Sequence, residues 1–319
     1  MSIYANQKQP TLSQNLDRAV RLLIIILVVS VVSFGIYYYT DRLTGPSSPS
    51  LVDQAIVDLE ELIRLSPKDP NLRTQVGLAY VERGYFDAAV EQYQVALEMN
   101  PSNNAALIGM GNAYLAKKDY GPALAAFDQV IELNKDNPFR KTLRQLEAVY
   151  YRIGFIRGSL GEYAAAEASL REALAIDHTD ADAWFVLGEV LRKQDKGPDA
   201  LEAYNETVSL DPLFTAAYEG MGQIFTQSNQ PALLAYATGM VAITKGDYQK
   251  AIPLLEKAAS GAPDFAGSFL GLGLAYEKAD RVTESVQAFR TALRLAPGNF
   301  LAEVSLQRTH AQLLKSEVK

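Results

Sequence analysis

The chain has 319 residues, 48% of them hydrophobic and 21% charged, with a formal charge of -7; it is too long for one small core and polar enough to fold in water. It contains no cysteine, which excludes disulfides, thiolate metal sites and cysteine nucleophiles. Four basic and two acidic side chains fall in the first 42 residues, so the remainder carries -9, and an acidic body repels phosphate backbones: no nucleic-acid partner is expected.

The first element is the run VRLLIIILVVSVVSFGIYYYTD. Leu22 to Tyr39 is free of charge and, as a helix rising about 1.5 Å per residue, matches the ~30 Å hydrocarbon core of a bilayer. A cleaved signal would be shorter and end in small residues; here the run ends in Tyr37, Tyr38 and Tyr39, rings suited to the membrane interface. Residues 20–40 are therefore expected to be a retained anchor contacting lipid through 22–39, between a polar tail (1–19) and a linker (41–50). Lys8, Arg18 and Arg21 precede the run and Arg42 alone follows closely, which places the tail in the cytoplasm and the rest outside it. A bacterial inner or plasma membrane fits this layout.

From residue 51 onward the sequence repeats itself. Gly77, Gly111, Gly154, Gly188, Gly222, Gly239 and Gly273 recur at spacings of 34, 43, 34, 34, 17 and 34. Each stands in a helix-like stretch, where glycine costs about 1 kcal/mol relative to alanine; close approach of two helices is the simple reason to keep it. Twelve residues after a glycine stand Ala89, Ala123, Ala166, Ala200, Ala251 and Ser285, and sixteen after it Tyr93, Phe127, Leu170, Tyr204, Leu255 and Phe289. Turn sequences such as ERGYFD, KKDYGP, LGEY and KGDY separate two helices in each unit, and Pro101, Pro212, Pro263 and Pro297 close four of the units.

This pattern resembles the tetratricopeptide repeat, a 34-residue helix–turn–helix unit, over about residues 51–316. Full units are expected at 70–103, 104–137, 147–180, 181–214, 232–265 and 266–299. Near 51–67 lies a second helix without its first, near 215–231 a first helix without its second, and at 300–316 a capping helix; NPFRKTLRQ (138–146) is extra. The resemblance implies an all-α, right-handed superhelical solenoid, preceded here by the one transmembrane helix, whose first helices line the concave side.

Chemistry has little support. GMGNAY, GMGQIF and GLGLAY (109–114, 220–225, 271–276) lack the preceding strand and final glycine of a dinucleotide site and share the repeat phase. DHTDAD (177–182) reads as an inter-repeat turn followed by a helix cap, not a metal site. Arg140, Lys141 and Arg144 in the insertion, with Arg152 and Arg157, form a local basic patch. No catalytic, cofactor-binding or metal residue is assigned; the chain is not expected to be an enzyme.

Residues three before, one after and four after each glycine share a helix face, the one the resemblance makes ligand-facing. Asn112, Tyr151, Phe155, Phe185, Glu189, Arg192, Tyr236 and Met240 are the candidate partner-binding residues on it. Asn112 is the one match to the residues with which some family members clamp a carboxyl terminus. The expected function is a membrane-anchored scaffold or adaptor for protein–protein interaction, in assembly or biogenesis of membrane or exported proteins, with membrane-associated protein partners; the alternative is a permanent accessory subunit of a membrane complex.

Overall fold

The structure is a computed structural model that describes residues 51–317. The expected tail, anchor and linker (1–50) lie outside the described residues, and no helix among the described residues is long and apolar enough to cross a membrane. Those residues form fifteen α-helices and no strand. The helices are α1 (Leu51–Leu65), α2 (Pro70–Glu82), α3 (Phe86–Met99), α4 (Asn104–Ala116), α5 (Tyr120–Asn134), α6 (Arg144–Ser159), α7 (Tyr163–Ile176) and α8 (Ala181–Lys193). They continue as α9 (Gly197–Leu210), α10 (Thr215–Gln227), α11 (Pro231–Thr244), α12 (Tyr248–Gly261), α13 (Ala266–Lys278), α14 (Val282–Leu295) and α15 (Phe300–Glu317).

Helix starts follow from local chemistry. Asp69, Asn103, Asp180 and Asp247 each accept a hydrogen bond from a first-turn backbone N–H, and Pro70 and Pro231 occupy a first turn, where a missing N–H is harmless. The turns inside hairpins share one device. Gly84, Lys118, Gly161, Asp195, Gly246 and Asp280 adopt positive φ, and the next N–H reaches back five residues, as from Tyr85 to the Tyr80 carbonyl at 2.8 Å or from Arg281 to that of Tyr276 at 2.9 Å. This left-handed closure satisfies end carbonyls and reverses the chain sharply.

Packing explains the glycines. A Cβ on Gly77 would lie 2.6 Å from the Tyr93 ring and one on Gly109 2.4 Å from the same ring. Tyr204 is held likewise between Gly188 (2.6 Å) and Gly220 (2.5 Å), and Leu255 between Gly239 (2.7 Å) and Gly271 (3.0 Å). Each bulky second-helix side chain is thus wedged against its own first helix and the first helix of the next hairpin. The GMG and GLG pairs are the two halves of this contact.

Two places depart from regularity. The 138–146 insertion forms a 3-10 turn (Arg140–Thr142), and α6 begins at Arg144. There α4 and α6 lack the extended side-by-side contact that α2 makes with α4, or α8 with α10. The second departure corrects the expectation of a first helix with no second at 215–231. The α10–α11 turn uses the hairpin device: Asn229 has positive φ, and Gln230 N–H donates to the Phe225 carbonyl at 2.8 Å. The α11–α12 turn uses it again at Gly246. Helix α11 is therefore second helix to α10 and first helix to α12. Apolar on every side, as PALLAYATGMVAIT, it suits a helix buried on two faces.

Sharing α11 relaxes one contact. A Cβ on Gly222 would meet Leu234 and Ala237 at ordinary distances of 3.6 and 3.7 Å. Gly222→Ala is expected to leave thermal stability unchanged or raise it by up to about 1 kcal/mol through helix propensity. Gly188→Ala, driven into the fully buried Tyr204 ring, is expected to lose roughly 1–3 kcal/mol. Melting curves of the two variants check both.

Candidate functional site

The expected stripe begins on α4 with Asn112. It is half-buried, and its Oδ1 is enclosed without a hydrogen-bond partner. An enclosed acceptor left unpaired costs about 1–3 kcal/mol. The 138–146 insertion interrupts the wall after α4, so Asn112 stands apart from the aromatic residues that follow.

The structure brings Tyr151, Phe155, Phe185, Glu189 and Arg192 together on α6 and α8. Phe155 is 41% exposed, whereas Tyr151 and Phe185 are half-buried. Phe185 is braced from behind, its ring centroid 4.9 Å from that of Phe214 and 6.2 Å from that of Tyr204. Between the helices lies an open cleft of about 240 Å³, its apolar lining including Phe155, Tyr163, Phe185 and Val190. Gly158 opens it. A Cβ there would already stand 3.2 Å from Val190, and the equivalent positions elsewhere carry Val81, Leu115, Arg192 and Ile243.

Glu189 and Arg192 serve each other before they serve a partner. Arg192 donates from Nη2 to Glu189 Oε2 at 2.6 Å and from Nε to Oε1 at 3.3 Å, and the Tyr204 hydroxyl donates to Oε1. Burial pushes the Glu189 carboxyl up, but the hydrogen bonds from Arg192 and Tyr204 outweigh it and hold the carboxyl below its usual range. Burial and the Glu189 contact push the Tyr204 hydroxyl up. The charged pair therefore fixes the rim of the cleft, with Tyr204 tying it to the glycine wedge beneath.

Tyr236 and Met240 are placed differently from expectation. They are 8% and 3% exposed; Tyr236 meets Phe265 edge-on at 4.8 Å and Tyr218 at 6.2 Å. Because α11 is packed by α10 and α12 together, its stripe is interior, and these two side chains offer no surface. In the basic patch, Arg140 reaches Glu172 at 3.4 Å, Arg157 reaches Asp128 at 3.8 Å and Arg152 donates to the Ala148 carbonyl at 2.8 Å. Much of that charge is spent internally.

At 177–182, Asp177 accepts from Thr179, Asp180 caps α8, and Trp184 Nε1 donates to the His178 carbonyl at 2.9 Å. No group of three or more potential metal ligands occurs among the described residues. What sequence reasoning missed is the link from Asp180 to Glu147 on α6. Burial, a hydrogen bond with Asp180 and the charges of Asp180 and Asp177 push the Glu147 carboxyl up to about 7, against a smaller opposing pull from Arg152. No local pattern joins two carboxyl groups on different hairpins.

The fold thus favours a protonated Glu147. Its contribution is full below the ordinary value near 4.5 and is lost as pH rises from there through about 7. Glu147→Gln is expected to melt higher than wild type at pH 8, with the difference vanishing at pH 4.5; a series of melts across that range checks it.

Comparison with known proteins identifies the architecture. The family model described as tetratricopeptide repeat matches residues 75–138, 155–226 and 236–300, more than half of the chain. The chain is 23% identical over 175 residues to anaphase-promoting complex subunit 3 of Schizosaccharomyces pombe, covering 55% of this chain and 25% of that protein. It is 23% identical over 268 residues to BBSome complex member BBS4 of Bos taurus, covering 79% and 50%. It therefore spans at most half the length of these two relatives. Among solved structures, a MamA RS-1 ArsTM double mutant superposes with a TM-score of 0.51 at 20% identity, covering 56% of this chain and 94% of that one; this likeness concerns the fold alone.

Proposed function

The chain belongs to the tetratricopeptide repeat family, and from that premise we propose that it is a scaffold that captures protein partners on the α6–α8 wall. One observation carries the reading. An exposed aromatic residue, Phe155, stands beside an apolar cleft on first helices, where a soluble array gains nothing from an uncovered ring. An aromatic side chain rigidly held at a pocket mouth is the usual form of a binding hot spot. The enclosed acceptor of Asn112 adds a place for a partner's N–H donor farther along the array.

In this reading residues 20–40 tether the array to a membrane, with the tail in the cytoplasm and the repeats on the far side. The tether raises the concentration of the wall near membrane-associated clients, and the scaffold serves their assembly or biogenesis without doing chemistry itself. The names of the two relatives describe a complex subunit and a complex member, which favours the second reading, a permanent accessory subunit. Fixed stoichiometry that survives salt and detergent marks the subunit; a substoichiometric, exchanging client marks the adaptor.

Phe155→Ser is expected to weaken client co-purification about tenfold, the scale of one hot-spot residue, while far-UV circular dichroism stays at wild type. Undiminished recovery removes the wall from the reading. Added protease is expected to spare the repeats in intact cells only if a further barrier encloses them, and to digest them once the outer face of the anchoring membrane is reached; repeats protected until that membrane is broken place them in the cytoplasm and overturn the orientation.

A further inference from the structure

The two ends of the described array are finished differently. On α15 the positions that would meet a second helix are Glu303, Gln307 and His310, each 34 residues after Phe269, Gly273 and Tyr276. That face is polar, whereas Ala302, Ser305 and Thr309 on the opposite side are fully buried. A polar outer face is what the end of a stacked array requires.

Helix α1 lacks such a finish. It keeps the register of a second helix: Ala55, Leu59 and Pro67 stand 34 residues before Ala89, Tyr93 and Pro101. In α3 those first two positions are buried to 0% and 1% exposure because α2 covers them. In α1 Ala55 is exposed and Leu59 half-buried. With Leu51 and Leu62, exposed at 85% and 46%, they form a stripe along one face. Ile56 and Ile63 are buried on the side toward α2, so the stripe is a second, uncovered apolar face.

We propose that this face docks an amphipathic helix supplied by another protein, with a small residue opposite Leu59 and basic residues along one edge, so that the two chains together complete a hairpin. The edge of the stripe away from α2 carries Asp58 and Glu61, both exposed, which sets the charge of the partner. A second copy of α1 would bring these carboxylates against themselves. A second copy of α15 would offer Glu303, Gln307 and His310 to leucines. The sequence directly before α1, DRLTGPSSPS, holds Gly45, Pro46 and Pro49, a poor source of a first helix within reach of a short turn. The proposal rests on the array being a protein-binding one, but it concerns a surface separate from the α6–α8 wall, so Phe155→Ser and the variants below succeed or fail independently.

The absence of native cysteine makes the test clean. Ala55→Cys is placed in the full chain in lipid nanodiscs, and its rate of maleimide labelling is measured with and without a synthetic peptide of residues 104–118. That peptide is one of the chain's own first helices, carrying Gly111 and ending in Lys117 and Lys118. The expected result is rapid labelling of the chain alone, slowed at least about tenfold by saturating peptide, with no slowing when Leu62→Glu is added. Slow labelling before any peptide is present means that another segment of the chain or a second copy already covers the face, and overturns the proposal. Labelling that the peptide leaves unchanged, or slows equally in the Leu62→Glu background, overturns it as well.

Discussion

The whole array depends on one contact, a bulky second-helix side chain seated between two first helices at positions too small to push it out. Tyr93, Tyr204 and Leu255 each occupy such a seat between a pair of glycines. No hairpin can bury its own apolar face unaided, so the stacking contact is the folding contact. The glycines surrender helix propensity at every unit, and the fully buried rings return it through dispersion and apolar burial. The seat also fixes where neighbouring first helices run, and hence which of their side chains remain uncovered.

That contact is why the hairpins were legible. A requirement for a missing side chain, paired with a large one sixteen residues later, is a local rule that survives in the letters of the sequence. The limits of legibility are equally physical. Periodicity assigned Tyr236 and Met240 to an open stripe because it reports the faces of a helix, not how many neighbours the helix has. The uniform apolarity of residues 231–244 was the available signal, together with Asn229, a residue that tolerates positive φ, just ahead of Pro231. The pairing of Glu147 with Asp180 left no trace because it joins groups 33 positions apart on different hairpins. The tetratricopeptide architecture was readable; which aromatic residues of the stripe stay exposed was not.

The α6–α8 wall shows how a uniform scaffold acquires an individual surface. Its cleft arises from the absence of a side chain at Gly158 and from Phe185 being braced by Phe214 and Tyr204. Glu189 and Arg192 neutralise one another at its rim and are tied by Tyr204 to the seat beneath. Charge at this wall therefore orients the aromatic residues more than it attracts a client from a distance, in keeping with an apolar mode of capture.

Helix α11 has a consequence for how the array comes apart. In an ordinary solenoid each hairpin opens against its neighbours alone, and the free energy of the whole is close to a sum over units. A helix owned by two hairpins removes one of those independent terms. Residues 215–227 and 248–261 both close on α11, so neither can unravel without stripping apolar surface from the helix that holds the other. The stretch from 215 to 261 therefore behaves as a single cooperative block within an otherwise modular chain.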